Sequence, residues 1–146
     1  NYKMKKILIV NANYYNVISN NLILGAQKSL KKTNLKISII NAPGVFEIPS
    51  VIQKYINKFN AFICLGCVIK GETPHFNFIC STTFKSIQEI SIKYRKPISN
   101  GIITSLNKKQ ALQRSSLIKN NLKKNKGFEA AKAIISLIKN EPKKIK

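Results

Sequence analysis

The chain has 146 residues, 44% of them hydrophobic, which is room for one domain over 1–146 with a single core and no second folded module. Its 26 Lys+Arg against 5 Asp+Glu leave a formal charge of +21, and no stretch is long and apolar enough to span a bilayer. The opening NYKMKKILIVNANYY has only a four-residue apolar run after its basic head, too short for a signal-peptide core, and three cysteines are an odd set. A cytoplasmic protein in a reducing compartment, with no membrane partner, is therefore expected.

The charge has two readings. It is an electrostatic footprint for nucleic acid, since each neutralised phosphate releases a counterion, or it is compositional drift. Drift is the stronger reading, because the lysines scatter along the chain instead of gathering on one element, aromatics do not alternate with them as on a single-strand platform, and no finger, basic-zipper or RRM signature is present. Weak adhesion to RNA is expected, and no specific nucleic-acid partner.

Apolar runs alternate with amphipathic stretches along the whole chain, the pattern of a parallel sheet with crossover helices. In chain order, a strand at 6–10 leads into a helix at 17–32, a strand at 35–40 into a helix at 48–58, and a strand at 61–69 into a helix at 77–95. A last strand at 98–104 is followed by helices at 107–124 and 128–140, and the Lys-rich tail 141–146 opens with a helix-stopping Pro142. The implied architecture is a three-layer α/β sandwich of flavodoxin-like form, a four-stranded parallel sheet in order 2-1-3-4 with helices on both faces. Cys64 and Cys67 form a CxxC inside the third strand, where residues three apart face opposite sides, so they share neither a metal nor a disulfide.

In such a sheet ligands bind beyond the carboxyl ends of the strands, at the switch point between the first and third. That geometry selects NANYYN, NAPGVFEIP and KGETPHF, and these loops hold a large share of the scarce side chains: Glu47, Glu72 and the only histidine, His75. His75, in a Pro-flanked loop, suits general acid/base work. A structural hydrogen bond is the alternative for a loop histidine standing alone. The backbone N–H groups of Gly71, Glu72 and Thr73 form a candidate anion cradle before the helix near Asn77, although Gly-polar turns after strands are common and most bind nothing. Arg114 is one of only two arginines in a chain that uses lysine nearly everywhere else, and a guanidinium grips phosphate in a bidentate way that lysine does not copy. A surface role is its alternative. Phe46 and Tyr14 are candidates to stack on a flat heterocycle, or else belong to the core. Lys126 and Glu129 open a helix, where first-turn charge alone explains Glu129.

Taken together, PGVFEIP, LGCVIKGETPHFNFIC, GIIT, an Arg-bearing helix and NKGFEAA resemble the lumazine synthase family over nearly the whole chain. The resemblance implies an enzyme that condenses 5-amino-6-(D-ribitylamino)uracil with 3,4-dihydroxy-2-butanone 4-phosphate to 6,7-dimethyl-8-ribityllumazine, the penultimate step of riboflavin biosynthesis. It implies no metal and no organic cofactor. It implies a homopentamer with active sites between adjacent subunits. By the same resemblance Tyr14, Val45, Phe46, Glu47, Cys67, Val68, Ile69, Asn100 and Lys126 take uracil or ribityl positions, and Gly71, Glu72, Thr73 and Arg114 take phosphate positions. His75 is the catalytic group and Glu129 orients it.

Tyr15, Lys70, Asn77 and Asn100 stand where the family commonly has Asn, Arg, an acid and Phe, departures that weaken substrate contacts without removing a role. The connector SSLIKNNLKKNKG is longer than in family members that form hollow shells and has no glycine before Gly127, so assembly is expected to stop at the ring. Two rivals remain. A flavodoxin-like carrier of a flavin nucleotide needs a Gly/Ser/Thr-rich first loop, which NANYYN is not; a basic RNA-binding module would have no need of His75 or Arg114.

Overall fold

The computed structural model describes residues 5–146 and builds one four-stranded, all-parallel sheet, β1 (Lys6–Ala12), β2 (Lys36–Ala42), β3 (Ala61–Ile69) and β4 (Ile98–Ser105), in the order β2-β1-β3-β4. The expected strand order is the observed one. Parallel strands need crossovers, and these are α1 (Asn16–Leu30), α2 (Ile48–Lys54) and α3 (His75–Tyr94). α4 (Lys108–Arg114) and α5 (Lys126–Lys139) follow the last strand.

Period-two alternation along the strands divides the core in two. Ile7, Ile9, Ile63, Leu65, Cys67 and Ile103 pack on one face against Ile18, Leu22 and Ala26 of α1 and Ala130, Ala131 and Ile134 of α5. Leu8, Val10, Phe62, Cys64 and Ile102 pack on the other against Ile48 and Ile52 of α2 and Ile87 of α3. Cys64 and Cys67 thus lie in different halves of the core, as the strand geometry requires. Each fully buried aliphatic side chain contributes about 1.5 to 3 kcal/mol.

Two glycines bring α1 and α5 together nearly backbone to backbone. A Cβ on Gly127 would lie 2.0 Å from the Leu22 carbonyl oxygen, and one on Gly25 would lie 2.1 Å from Asn125 Oδ1. On β3, a Cβ on Gly66 would meet Val45 Cγ2 at 2.9 Å and Ala12 Cβ at 3.0 Å, so glycine there makes room for the turn after β2.

Several expected boundaries move. The helix expected over 107–124 is two elements, α4 and a 3-10 turn at Lys119–Lys124. Ser115 causes the break: its hydroxyl donates back to the Ala111 and Leu112 carbonyls at 2.9 and 3.3 Å, and its backbone leaves the helical region at ψ 10. The second helix stops at Lys54 instead of residue 58, because Tyr55 to Phe59 turn back and the Lys96 ammonium binds the Ile56 and Phe59 carbonyls. The third begins at His75, two residues early, and ends where Arg95 takes a left-handed conformation at φ 52. Residues 141–146 are exposed and carry no helix or strand. Among the described residues no helix is long and apolar enough to cross a membrane.

Candidate active site

The crossover rule places three loops at the carboxyl ends of β1, β2 and β3. Tyr14 follows β1 with its ring 73% exposed, held edge-on to Tyr15 at 5.0 Å between centroids. Tyr15 packs partly into the core, and burial, with Cys67 and Tyr14 nearby, pushes its hydroxyl up from the ordinary phenol value. After β2, Val45–Glu47 form a single 3-10 turn. Val45 is buried against Gly66 of β3, which leaves Phe46 57% exposed and folds the Glu47 carboxylate back over Gly44.

β3 delivers the third loop. Cys67 faces the α1 side, and burial pushes its thiol up to about 11; Val68 and Ile69 are half-buried, and Lys70 is tied to β4 by its N–H to the Ser105 carbonyl at 2.9 Å. Gly71, Glu72 and Thr73 are exposed, and their backbone N–H groups donate no hydrogen bond among the described residues. Gly71 has no positive φ, and a Cβ there would meet nothing within 4 Å, so the fold itself does not demand glycine. His75, expected in the loop, is instead the first residue of α3. Pro74 cannot continue a helix backwards, and Thr73 Oγ1 accepts from the His75 N–H at 3.4 Å. The imidazole is exposed and has no hydrogen-bond partner among the described residues.

The remaining candidates stand apart from these. Arg114 ends α4 and donates from Nη1 to the Thr104 carbonyl at the end of β4, 3.2 Å away, which fixes an otherwise exposed guanidinium at that strand's carboxyl end. Lys126 and Glu129 lie in the first turn of α5 and pair with each other at 3.7 Å, the only ion pair among the described residues. Glu129 is thus where first-turn charge complements the helix dipole. It makes no contact with His75 in this chain, because α5 packs on one face of the sheet and α3 on the other. Asn100 sits mid-strand on β4, exposed, with Oδ1 accepting from the Ile102 N–H of the free sheet edge at 3.0 Å. The chain therefore presents two groups of candidates, Val45–Glu47 with Gly71–His75 beside α3, and Arg114 with Lys126 and Glu129 on the opposite side of the sheet.

One residue of this region escapes motif reading. Asn125 is completely buried; its Oδ1 caps α5 at the Phe128 N–H, and its amide donates to the Asn21 and Ser116 carbonyls. The NKG triplet was its only signal. Gly66, which seats the Val45 turn, was hidden in an apolar run.

A doubly wound parallel sheet with exposed polar loops at its switch point defines an α/β protein of flavodoxin-like topology. The sequence model of 6,7-dimethyl-8-ribityllumazine synthase matches residues 4–141. The 6,7-dimethyl-8-ribityllumazine synthase of Campylobacter curvus is 36% identical over 139 residues, covering 92% of this chain and 86% of that one. That of Vesicomyosocius okutanii is 38% identical over 144 residues, covering 92% and 84%, and that of Campylobacter jejuni subsp. doylei is 37% identical over 140, covering 91% and 87%. The chain belongs to the 6,7-dimethyl-8-ribityllumazine synthase family, transferases of riboflavin biosynthesis.

Proposed function

We propose that this protein condenses 5-amino-6-(D-ribitylamino)uracil with 3,4-dihydroxy-2-butanone 4-phosphate, forming 6,7-dimethyl-8-ribityllumazine and releasing phosphate and water. The observation that carries the reading is the placement of the chain's only histidine, exposed and without a side-chain hydrogen-bond partner among the described residues, one proline after three backbone N–H groups that bond to nothing among those residues. Free N–H groups before a helix are a natural seat for phosphate oxygens, and a glycine that the fold does not require leaves Gly71 open to close approach. Glu72 and Thr73 complete that loop.

In this mechanism the uracil's free amine adds to the ketone, water leaves to give an imine, phosphate is eliminated, and ring closure expels a second water. His75 moves the protons, and Arg114 and the Gly71–Thr73 loop hold the phosphate. Tyr14 and Phe46 lie against the heterocycle, Glu47 accepts from ribityl hydroxyls, and the backbone of Cys67, Val68 and Ile69 reads the pyrimidine edge. Lys126 lines the site, and Asn100 keeps its amide N–H donors for ligand because its oxygen is already bonded. Most of the acceleration comes from holding two reactants in reacting geometry, which needs contacts more than catalytic groups, and no cofactor.

The site is shared between adjacent subunits of a homopentamer. Two candidate groups on opposite sides of one sheet support this, since a neighbour's Arg114, Lys126 and Glu129 supply what the His75 side of a single chain lacks, and Glu129 then orients the His75 of the next subunit. Exposed Leu106, Leu112, Ile118 and Leu137 on the β4, α4 and α5 side are apolar surface for such contacts. Mixing the purified protein with both substrates and following the lumazine chromophore tests the reading: product formation above the spontaneous rate is expected, and a rate equal to the protein-free control would refute it.

A further inference from the structure

Asn125 does more than a helix cap requires. A cap needs one acceptor, and serine, threonine or aspartate supplies it as well as asparagine. Here Oδ1 meets the Phe128 N–H at 3.0 Å, and the amide nitrogen donates twice, to the Asn21 carbonyl of α1 and to the Ser116 carbonyl, each at 3.2 Å. One buried side chain thus joins three segments: α1, the stretch two residues beyond Arg114, and the start of α5 at Lys126. A buried amide satisfied in this way is rigid, because releasing any partner leaves a desolvated polar group unpaired. Lys126 stands between Asn125 and Gly127, both pressed onto α1, so its side chain can leave only outward, where it meets Glu129.

Resting on the role given to Arg114 above, we propose that Asn125 is a positioning residue for the phosphate side of the site. Its donation to the Ser116 carbonyl fixes the spacing between the end of the Arg114 helix and Lys126, the donation to the Asn21 carbonyl ties both to α1, and Gly25 is glycine so that the amide can seat there. The substitution that isolates this role is Asn125→Ser, which keeps a capping oxygen and loses both amide donors, leaving one hydroxyl on a shorter side chain. Gly25→Ala disturbs the same amide from the α1 side and serves where the serine variant does not fold.

Steady-state constants for each substrate, inhibition by inorganic phosphate and the thermal midpoint are measured well below that midpoint. The KM for the ketone phosphate and the inhibition constant for phosphate are expected to rise about tenfold in either variant. The KM for the uracil is expected to change less, by about twofold, because all of its proposed contacts but Asn100 and Lys126 lie on β1, β2 and β3 and the loops that follow them. A lower midpoint with both substrate constants and the phosphate constant unchanged would make Asn125 a purely structural cap and overturn the proposal. Wild-type protein that forms no lumazine and is not bound by phosphate would instead overturn the underlying reading of the site.

Discussion

Arg114→Ala separates binding from folding at this site. The guanidinium uses one N–H on the Thr104 carbonyl at 3.2 Å and is otherwise exposed. That bond competes with water, so its loss costs about 1 kcal/mol of stability or less. The donors left over face solvent at the end of β4, and a charge-assisted contact from them to a phosphate dianion is worth about 1.5 to 3 kcal/mol. The expected result is a KM for the ketone phosphate about 10-fold to 150-fold higher, with the uracil KM within about threefold and the thermal midpoint nearly unchanged. Arg114→Lys should recover part of the affinity, because an ammonium keeps the charge and loses the bidentate fork. Stopped-flow formation of lumazine with each substrate varied in turn measures both constants. Equal weakening of the two substrates, or a fall in midpoint that accounts for the kinetic loss, would refute the assignment.

Replacing His75 by alanine should lower turnover about 10-fold to 1000-fold while leaving the thermal midpoint in place, since the ring is exposed and has no hydrogen-bond partner among the described residues; unchanged turnover at saturation removes it from the mechanism. Gly127→Ala puts a Cβ 2.0 Å from the Leu22 carbonyl oxygen, so α5 must move away from α1 at a cost of about 1 to 3 kcal/mol, read as a lower denaturation midpoint; wild-type stability would mean the two backbones are not in contact. Burial raises the Cys67 thiol from 9.0 to about 11, and the same cause raises Cys64. A group with a raised folded pKa stabilises fully below its unfolded value, so stability should be flat up to about pH 9 and fall from there to about pH 11, a loss that Cys67→Ala should reduce in chemical denaturation; an identical alkaline profile in the variant contradicts this. In sedimentation at moderate salt the wild-type protein should run as about five chains, because the connector's Lys119, Lys123 and Lys124 are exposed and repel their own copies across any symmetric ring-to-ring contact; a monomer or a sixty-chain particle would contradict the ring.

Most of the architecture was legible because it rests on patterns that repeat. Each strand is an Ile-, Val- or Leu-rich run closed by a polar loop, and the crossover rule then orders the four of them with little freedom. The break after Arg114 was hidden because QALQRSSLIKNNLKK keeps a helical period; it depends on where one hydroxyl, that of Ser115, sends its hydrogen bond. The start of α3 moved by two residues for a similar reason, a single Thr73 side chain ahead of Pro74. The candidate site was legible where scarce residue types marked it, as with His75 and Glu47. Asn125 and Gly66 were not, because a buried amide and a space-making glycine declare themselves only through their neighbours, and Asn is abundant in this chain.

The separation of His75 from Arg114, Lys126 and Glu129 follows from connectivity and not from local sequence. In a parallel sheet a helix that directly follows a strand begins at its carboxyl end, which puts His75 at that pole, and the bond to the Thr104 carbonyl holds Arg114 at the same end of β4. Which face a helix covers is set by its crossover, and α3 covers one face while α5 covers the other. The sheet between them is filled by Cys64, Leu65, Ile102 and Ile103, and no rotamer carries Glu129 through it to His75. On the proposed reading, a chain built this way displays both halves of the site outward and completes neither alone. Joining them requires a second copy turned so that the α5 side of one meets the α3 side of the next. That contact is heterologous, and a repeated heterologous contact closes into a ring or runs on without end. The assembly and the chemistry are for that reason one hypothesis: a mutation that splits the ring without touching His75 or Arg114 should abolish turnover as thoroughly as removing either.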